Sequence, residues 1–338
     1  MKLFFLFAIG LVFSCNSFYE NTNKSEIQIL TESIASSPND ISLLLERVDY
    51  NKSQDQFESA LYDLKQIVTL DSLNSNYQYL IAEAYFESSK KPNASREFPL
   101  FAKDHLNNSI RLDRNNYKAH ALLGELMLVY GKYKEAIFSL NSSLKIKYNQ
   151  EKTHMLLGYV FKQVNQYDKA INCFRNSINV NPDFKESYAQ LGQIFHILDD
   201  TLAIEYYNNA LELDPDDHLI LYNKALFYQS RLEWNRALDA YADLHNKSPF
   251  HSSGHYNLGF IHMELGLFDV AANNFSDAIY SNSNFFEAYY SRGNCFETLG
   301  NIEQAQVDYT RAIEINPEYT FAIDALKSLI EKNQKYNK

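Results

Sequence analysis

Apolar and small residues recur along the chain in a rhythm that a single helix or strand does not explain. Near the C-terminus, Tyr289, Arg292, Gly293, Phe296 and Leu299 fall at helical spacing. Gly300 follows as a helix stop. Ile302, Ala305, Tyr309, Ala312 and Ile313 then resume the same spacing. Asn316-Pro317 ends that second stretch, because proline disfavours helical geometry in the residue before it. The pattern predicts helix, turn, helix, turn over residues 286–319.

This arrangement repeats. Gly124, Gly158 and Gly192 are 34 residues apart, and after one step of 33 to Ala225 the interval of 34 resumes at Gly259 and Gly293. Pro182, Pro215, Pro249, Ser283 and Pro317 run in phase with them, as do Ala136, Ala170, Ala203, Ala237, Ala271 and Ala305. Three series that share one period and one skipped residue mark an internal repeat. Counting back gives eight repeats: 41–74, 75–116, 117–150, 151–184, 185–217, 218–251, 252–285 and 286–319. Gly or Ala where two helices cross lets their axes approach to about 8–10 Å.

These markers resemble the tetratricopeptide-repeat (TPR) family, with aromatics at repeat positions 4, 11 and 24, Gly at 8, Ala at 20 and 27 and Pro at 32. Repeat 286–319 carries Tyr289, Gly293, Phe296, Ala305, Tyr309, Ala312 and Pro317, and repeat 252–285 carries Leu258, Gly259, Ala271, Phe275 and Ala278. The resemblance covers nearly the whole chain after its first residues. It implies an all-α, right-handed superhelical solenoid of helix–turn–helix repeats whose work is binding other proteins. Repeat 41–74 is degenerate, with Val48, Phe57, Ala60, Leu64 and Ile67 at the marker positions. Repeat 75–116 is eight residues too long, and its excess near Lys90–Pro99 reads either as a tolerated loop or as a docking lip. Residues 25–40 read as an N-terminal capping helix closed by Pro38, and residues 320–338 as a C-terminal capping helix and tail.

The first residues follow a different pattern. Met1-Lys2 and an apolar run from Leu3 to Phe13 have the make-up of a signal peptide, too short to span a bilayer. Val12-Phe13-Ser14-Cys15 resembles a bacterial lipobox, although Phe13 is bulkier than the residue usual there. The resemblance implies removal of residues 1–14 and lipidation of Cys15, whose acyl chains would anchor the protein; the other reading is an ordinary cleaved signal with a chance cysteine. Residues 15–24 are polar and read as a tether. Asn16 is not the Asp that retains many lipoproteins at the inner membrane, so the expected address is the outer membrane, facing the periplasm. The Asn, Lys, Ile, Tyr and Phe bias resembles that of low-GC Bacteroidota proteins.

Composition narrows the chemistry. A formal net charge of −11 disfavours nucleic acid as a partner. Cys173 and Cys295 lie 122 residues apart in sequence, with no CxxC pair or disulfide framework, and read as packing residues. No HExxH, GxSxG, P-loop or GxGxxG motif is present, so neither catalysis nor a cofactor is expected. His251, His255 and His262, with His245 nearby, raise the question of a metal. However, His120, His154 and His255 all occupy position 4 and His262 position 11, both aromatic slots, so packing is the expected role and no metal is expected.

The resemblance further implies that positions 2, 5, 6, 9, 12 and 13 of each first helix line a concave groove. Position 5 is Tyr79, Tyr222, Tyr256 and Tyr290, position 6 includes Asn223 and Asn257, and position 9 includes Phe260 and Asn294. Such a surface suits a peptide or protein, the tyrosines supplying area and the amides orientation. The expected function is a membrane-anchored scaffold in the bacterial envelope. The alternative is an accessory subunit presenting glycan or peptidoglycan to an envelope enzyme, because aromatics also stack on sugars.

Overall fold

The computed structural model describes residues 25–336, which form eighteen helices and, among these residues, no strand. They are α1 Glu26–Ser36, α2 Ile41–Ser53, α3 Phe57–Leu70, α4 Ser75–Ser89, α5 Phe98–Leu112 and α6 Tyr117–Val129. α7 Tyr133–Ile146, α8 Glu151–Gln163, α9 Tyr167–Val180, α10 Lys185–Ile197, α11 Leu202–Leu213 and α12 His218–Ser230 follow. α13 Trp234–Lys247, α14 Ser252–Glu264, α15 Phe268–Ser281, α16 Phe286–Thr298, α17 Ile302–Ile315 and α18 Thr320–Tyr336 complete the chain. The signal and tether expected over residues 1–24, including Cys15, lie outside the described residues. No helix among the described residues is long and apolar enough to cross a membrane.

The chain divides within α9 into two compact units, one ending at Cys173 and one beginning at Phe174. In the first, α2 to α8 are built around Leu44, Val48, Leu64, Ile81, Leu106 and Leu140, all buried. In the second, the core is a series of small clusters: Ala225 with Tyr241 and Ile261, Phe275 with Cys295, and Tyr309 with Leu329. Serial clusters are what repeats require, because each repeat buries its apolar face only against itself and its neighbours.

Within a repeat the small residue at position 8 is set against the bulky one at position 24. A Cβ added at Gly124 would lie 2.5 Å from Leu140, at Gly192 2.5 Å from Tyr207, at Gly259 2.7 Å from Phe275 and at Gly293 2.7 Å from Tyr309. The glycine series is therefore a record of close helix approach. Two repeats add a buried ion pair in the same register. Arg47 grips Asp63 at 2.8 and 2.6 Å, and Arg292 grips Asp308 at 2.8 and 2.7 Å, each through two donors on a carboxylate that is almost fully buried.

The turn between first and second helices has its own periodic residue. Asp55, Gly131, Asn165, Asp199, Leu232, Gly266 and Gly300 all have positive φ, between 53° and 82°. One residue later a backbone N–H reaches back five residues, for instance Lys132 to Met127 at 2.8 Å and Leu267 to His262 at 2.8 Å. This is the Schellman ending, which satisfies the last carbonyls of the first helix. The sequence pattern identifies Gly300 alone, because Asn, Asp and Leu at the equivalent positions hide the beat.

The inserted residues of repeat 75–116 lengthen α4 and the turn that follows it. They are held on both sides: Lys90 pairs with Glu87 at 2.7 Å and approaches Glu125 of the next repeat at 4.0 Å, while Lys91 bonds the Asp55 carbonyl of the preceding turn.

Candidate binding surface

Three of the position-5 tyrosines, Tyr222, Tyr256 and Tyr290, are half-buried and placed alike. The Tyr222 ring lies 6.2 Å from Tyr241 and 4.9 Å from His251. Tyr256 lies 5.5 Å from Phe275 and 5.0 Å from Phe285, and Tyr290 lies 5.9 Å from Tyr309 and 5.4 Å from Tyr319. Each ring is thus wedged between the second helix of its own repeat and the residue that leads into the next. The hydroxyls extend the link. Asn257 donates to the Tyr222 oxygen at 3.2 Å and to Tyr241 at 2.9 Å, and Ser291 donates to Tyr256 at 3.5 Å. Asn294 accepts from Tyr309 at 2.7 Å, and Glu297 accepts from the same hydroxyl at 2.9 Å. Burial pushes the Tyr241 and Tyr309 hydroxyls far above the usual phenol range, so they remain donors.

These contacts sort the expected site residues by what they have left to offer. Tyr222, Asn257 and Asn294 are engaged within the fold, whereas Asn223 and Phe260 are half-buried and have neither a hydrogen-bond nor a ring partner among the described residues. The Asn257 carbonyl oxygen and the Tyr290 hydroxyl also have no hydrogen-bond partner among the described residues. The surface presented by first helices α12, α14 and α16 therefore has a fixed aromatic base and a few uncommitted polar and apolar groups.

Tyr79 stands in a different setting in the first unit. Its hydroxyl donates to Glu83 at 2.6 Å, and Glu83 also pairs with Lys52 at 2.5 Å. A cavity of about 310 Å³ lies beside it, lined by Glu83, Glu87, Lys118, Glu125 and Lys152 among others, with Lys152 on Glu125 at 2.9 Å. The position-9 carboxylates Asp49, Glu83 and Glu125 recur in repeat register in three consecutive repeats. That series was legible in the sequence but is masked by the tyrosine and asparagine pattern.

The histidines have structural work. His120, His154 and His255 each donate from Nε2 to the carbonyl six residues earlier, at Arg114, Tyr148 and Pro249, over 3.2, 3.0 and 2.8 Å. They pin the loop that enters their repeat. His262 contacts Asn274 at 2.8 Å. His251 caps α14, its Nδ1 accepting from the Gly254 N–H at 3.0 Å. Among the described residues no three His, Cys, Asp or Glu side chains gather as metal ligands.

The repeat register also appears in comparison with known proteins. Models of the tetratricopeptide repeat match residues 151–184, 185–217 and 286–319. The chain is a tetratricopeptide-repeat protein. This TPR chain resembles two solved TPR structures. One is the C-terminal part of a TPR repeat-containing protein from Cytophaga hutchinsonii, with a TM-score of 0.64 at 13% identity, covering 75% of this chain and 99% of that one. The other is a TPR protein from Parabacteroides merdae, with a TM-score of 0.51 at 16% identity, covering 75% of this chain and 99% of that one. At such identity the likeness concerns the fold alone. A search of curated proteins found no match.

Proposed function

We propose that this TPR protein is a non-catalytic scaffold that holds a protein or peptide partner on the first-helix face of residues 218–298, anchored in the bacterial envelope through Cys15. The observation that carries the reading is the division of labour on that face. Packed tyrosines fix the base, and Asn223, Phe260, the Asn257 oxygen and the Tyr290 hydroxyl remain for a ligand. Side chains held on rigid helices lose little freedom on binding. Partner capture centres on Asn223 and Phe260, with the tyrosines of the expected ladder acting as support. The acidic net charge favours a neutral or basic ligand and disfavours nucleic acid. The envelope address, on an outer membrane and facing the periplasm, rests on the lipobox-like Val12–Cys15 segment.

The second reading, an accessory subunit that presents glycan, is favoured by one cluster. Phe321 is 64% exposed and its ring stands 5.6 Å from Tyr319 and 6.2 Å from Tyr290. An open aromatic face of this kind stacks on sugars as readily as on side chains.

One experiment addresses address and class together. Wild-type protein and Cys15→Ala are fractionated, and the solubilised membrane fraction is affinity-purified. Recovery of wild type in membranes, loss of Cys15→Ala to the soluble fraction and a stoichiometric co-purifying protein are expected. Identical partitioning defeats the anchor, and retention on glycan without a protein partner favours the second reading.

A further inference from the structure

The N-terminal end of the first unit carries a second surface. On the second helices, Leu140, Tyr207, Phe275 and Tyr309 each lie under a glycine of their own repeat's first helix. α1 has no such cover among the described residues. Its Leu30, Ile34 and Pro38 are spaced as Tyr309, Ile313 and Pro317 are, so α1 takes the place of a second helix. Where the first helix of that repeat would pack, a cavity of about 750 Å³ opens between α1 and α2. Its apolar wall is Ile29, Leu30 and Tyr50, and Ile29 is 45% exposed. Glu26, Glu46 and Asp49 line the same cavity, and none of them is in an ion pair among the described residues. The two cations of α2 are engaged elsewhere, Arg47 on Asp63 and Lys52 on Glu83.

We infer that this position receives an amphipathic helix of a partner protein, with its apolar stripe on Ile29, Leu30 and Tyr50 and its Lys or Arg side chains facing Glu26, Glu46 and Asp49. A helix fits because α1 and α2 already stand as the two neighbours that a first helix has in every complete repeat, and helix-in-groove binding uses that geometry. Its charge follows from the three unpaired carboxylates, which repel an acidic helix and attract a basic one. A second copy of this chain is disfavoured by its own net charge of −11. The surface is independent of the Asn223 and Phe260 face.

The test uses the full chain and two labelled peptides stapled as helices. The first has the sequence of residues 117–129 with Glu125→Lys, and the second has the same sequence with Lys118→Glu only. Fluorescence anisotropy at low ionic strength should give saturable binding of the basic peptide and at least roughly tenfold weaker binding of the acidic one. Glu46→Lys with Asp49→Lys in the full chain should weaken the basic peptide by at least roughly tenfold. Both positions are exposed, so an unchanged thermal melt separates this loss from misfolding. Absence of saturable binding, equal affinity for both peptides or indifference to the double substitution overturns the inference. Binding that appears only after residues 1–24 are removed would assign the place to the chain's own N-terminal segment. A dimer that the double substitution dissolves would assign it to a second copy, and either result also overturns the inference.

Discussion

At the scale of single residues, the repeat is held by size matching and by backbone conformation. Gly259 faces the Phe275 ring so closely that any side chain must displace it. Gly259→Leu should therefore cost about 1–3 kcal/mol through overpacking, visible as a lower melting temperature. A melt equal to wild type would refute the crossing assigned to this glycine. Leu232 is strained in the opposite sense. It holds φ 58° where neighbouring repeats use Gly, Asn or Asp, and it is 66% exposed, so it gives little packing in return. Leu232→Gly should raise stability by up to about 1 kcal/mol, because a left-handed conformation is disfavoured for a branched side chain. A destabilised variant would show that Leu232 makes contacts outweighing its strain. The glycine crossings could be read from the sequence because a single residue type recurs there. The left-handed turn could not, because four residue types fill it and only their shared backbone angle reveals the series.

At the scale of the element, capping makes the fold sensitive to acid. His251 starts α14 by accepting the Gly254 N–H on Nδ1, which requires that nitrogen to be unprotonated. Burial, and then the neighbouring His218, hold the His251 imidazole below its ordinary value, and His255 adds to the effect. The groups that face it are His218 and Tyr222 from α12, Tyr241 and His245 from α13, and His255 from α14. Burial likewise lowers His105, His154 and His196. For a histidine with a depressed folded value, the native state binds fewer protons than the unfolded chain. Its stabilisation is therefore complete above the unfolded value of about 6.5 and is lost as pH falls through the folded value. Melting temperature should fall between pH 7 and pH 5, and His251→Asn, which keeps an acceptor at the cap without titrating, should flatten part of that slope. An identical slope in the variant would remove His251 from the account. Helix placement was legible from the three- and four-residue spacing, and the position-4 histidines from their register. Their bonds to carbonyls six residues earlier were not, because loop geometry is not a property of helix periodicity. The insertion was visible as excess length, but its attachment through Lys90 and Lys91 depends on which turns lie beside it.

At the scale of the whole molecule, the chain forms two compact units of the same repeat with differently dressed first helices. Charged residues line the cavity beside Tyr79, while aromatics and amides mark the face that runs from Tyr222 to Asn294. Register placed the tyrosines on that face, but burial decides their part, and the sequence had no means to distinguish a wedged ring from a free one. The account's central claim is that a partner protein rests against the uncommitted groups of this face. A photo-crosslinking amino acid installed singly at positions 223, 260 and 280, followed by irradiation in intact cells, tests it most directly. Position 280 is the control, since Tyr280 lies on a second helix and is 80% exposed. The account predicts adducts with one common protein at 223 and 260 and none at 280. Adducts with that protein at 280, with none at 223 and 260, would contradict it.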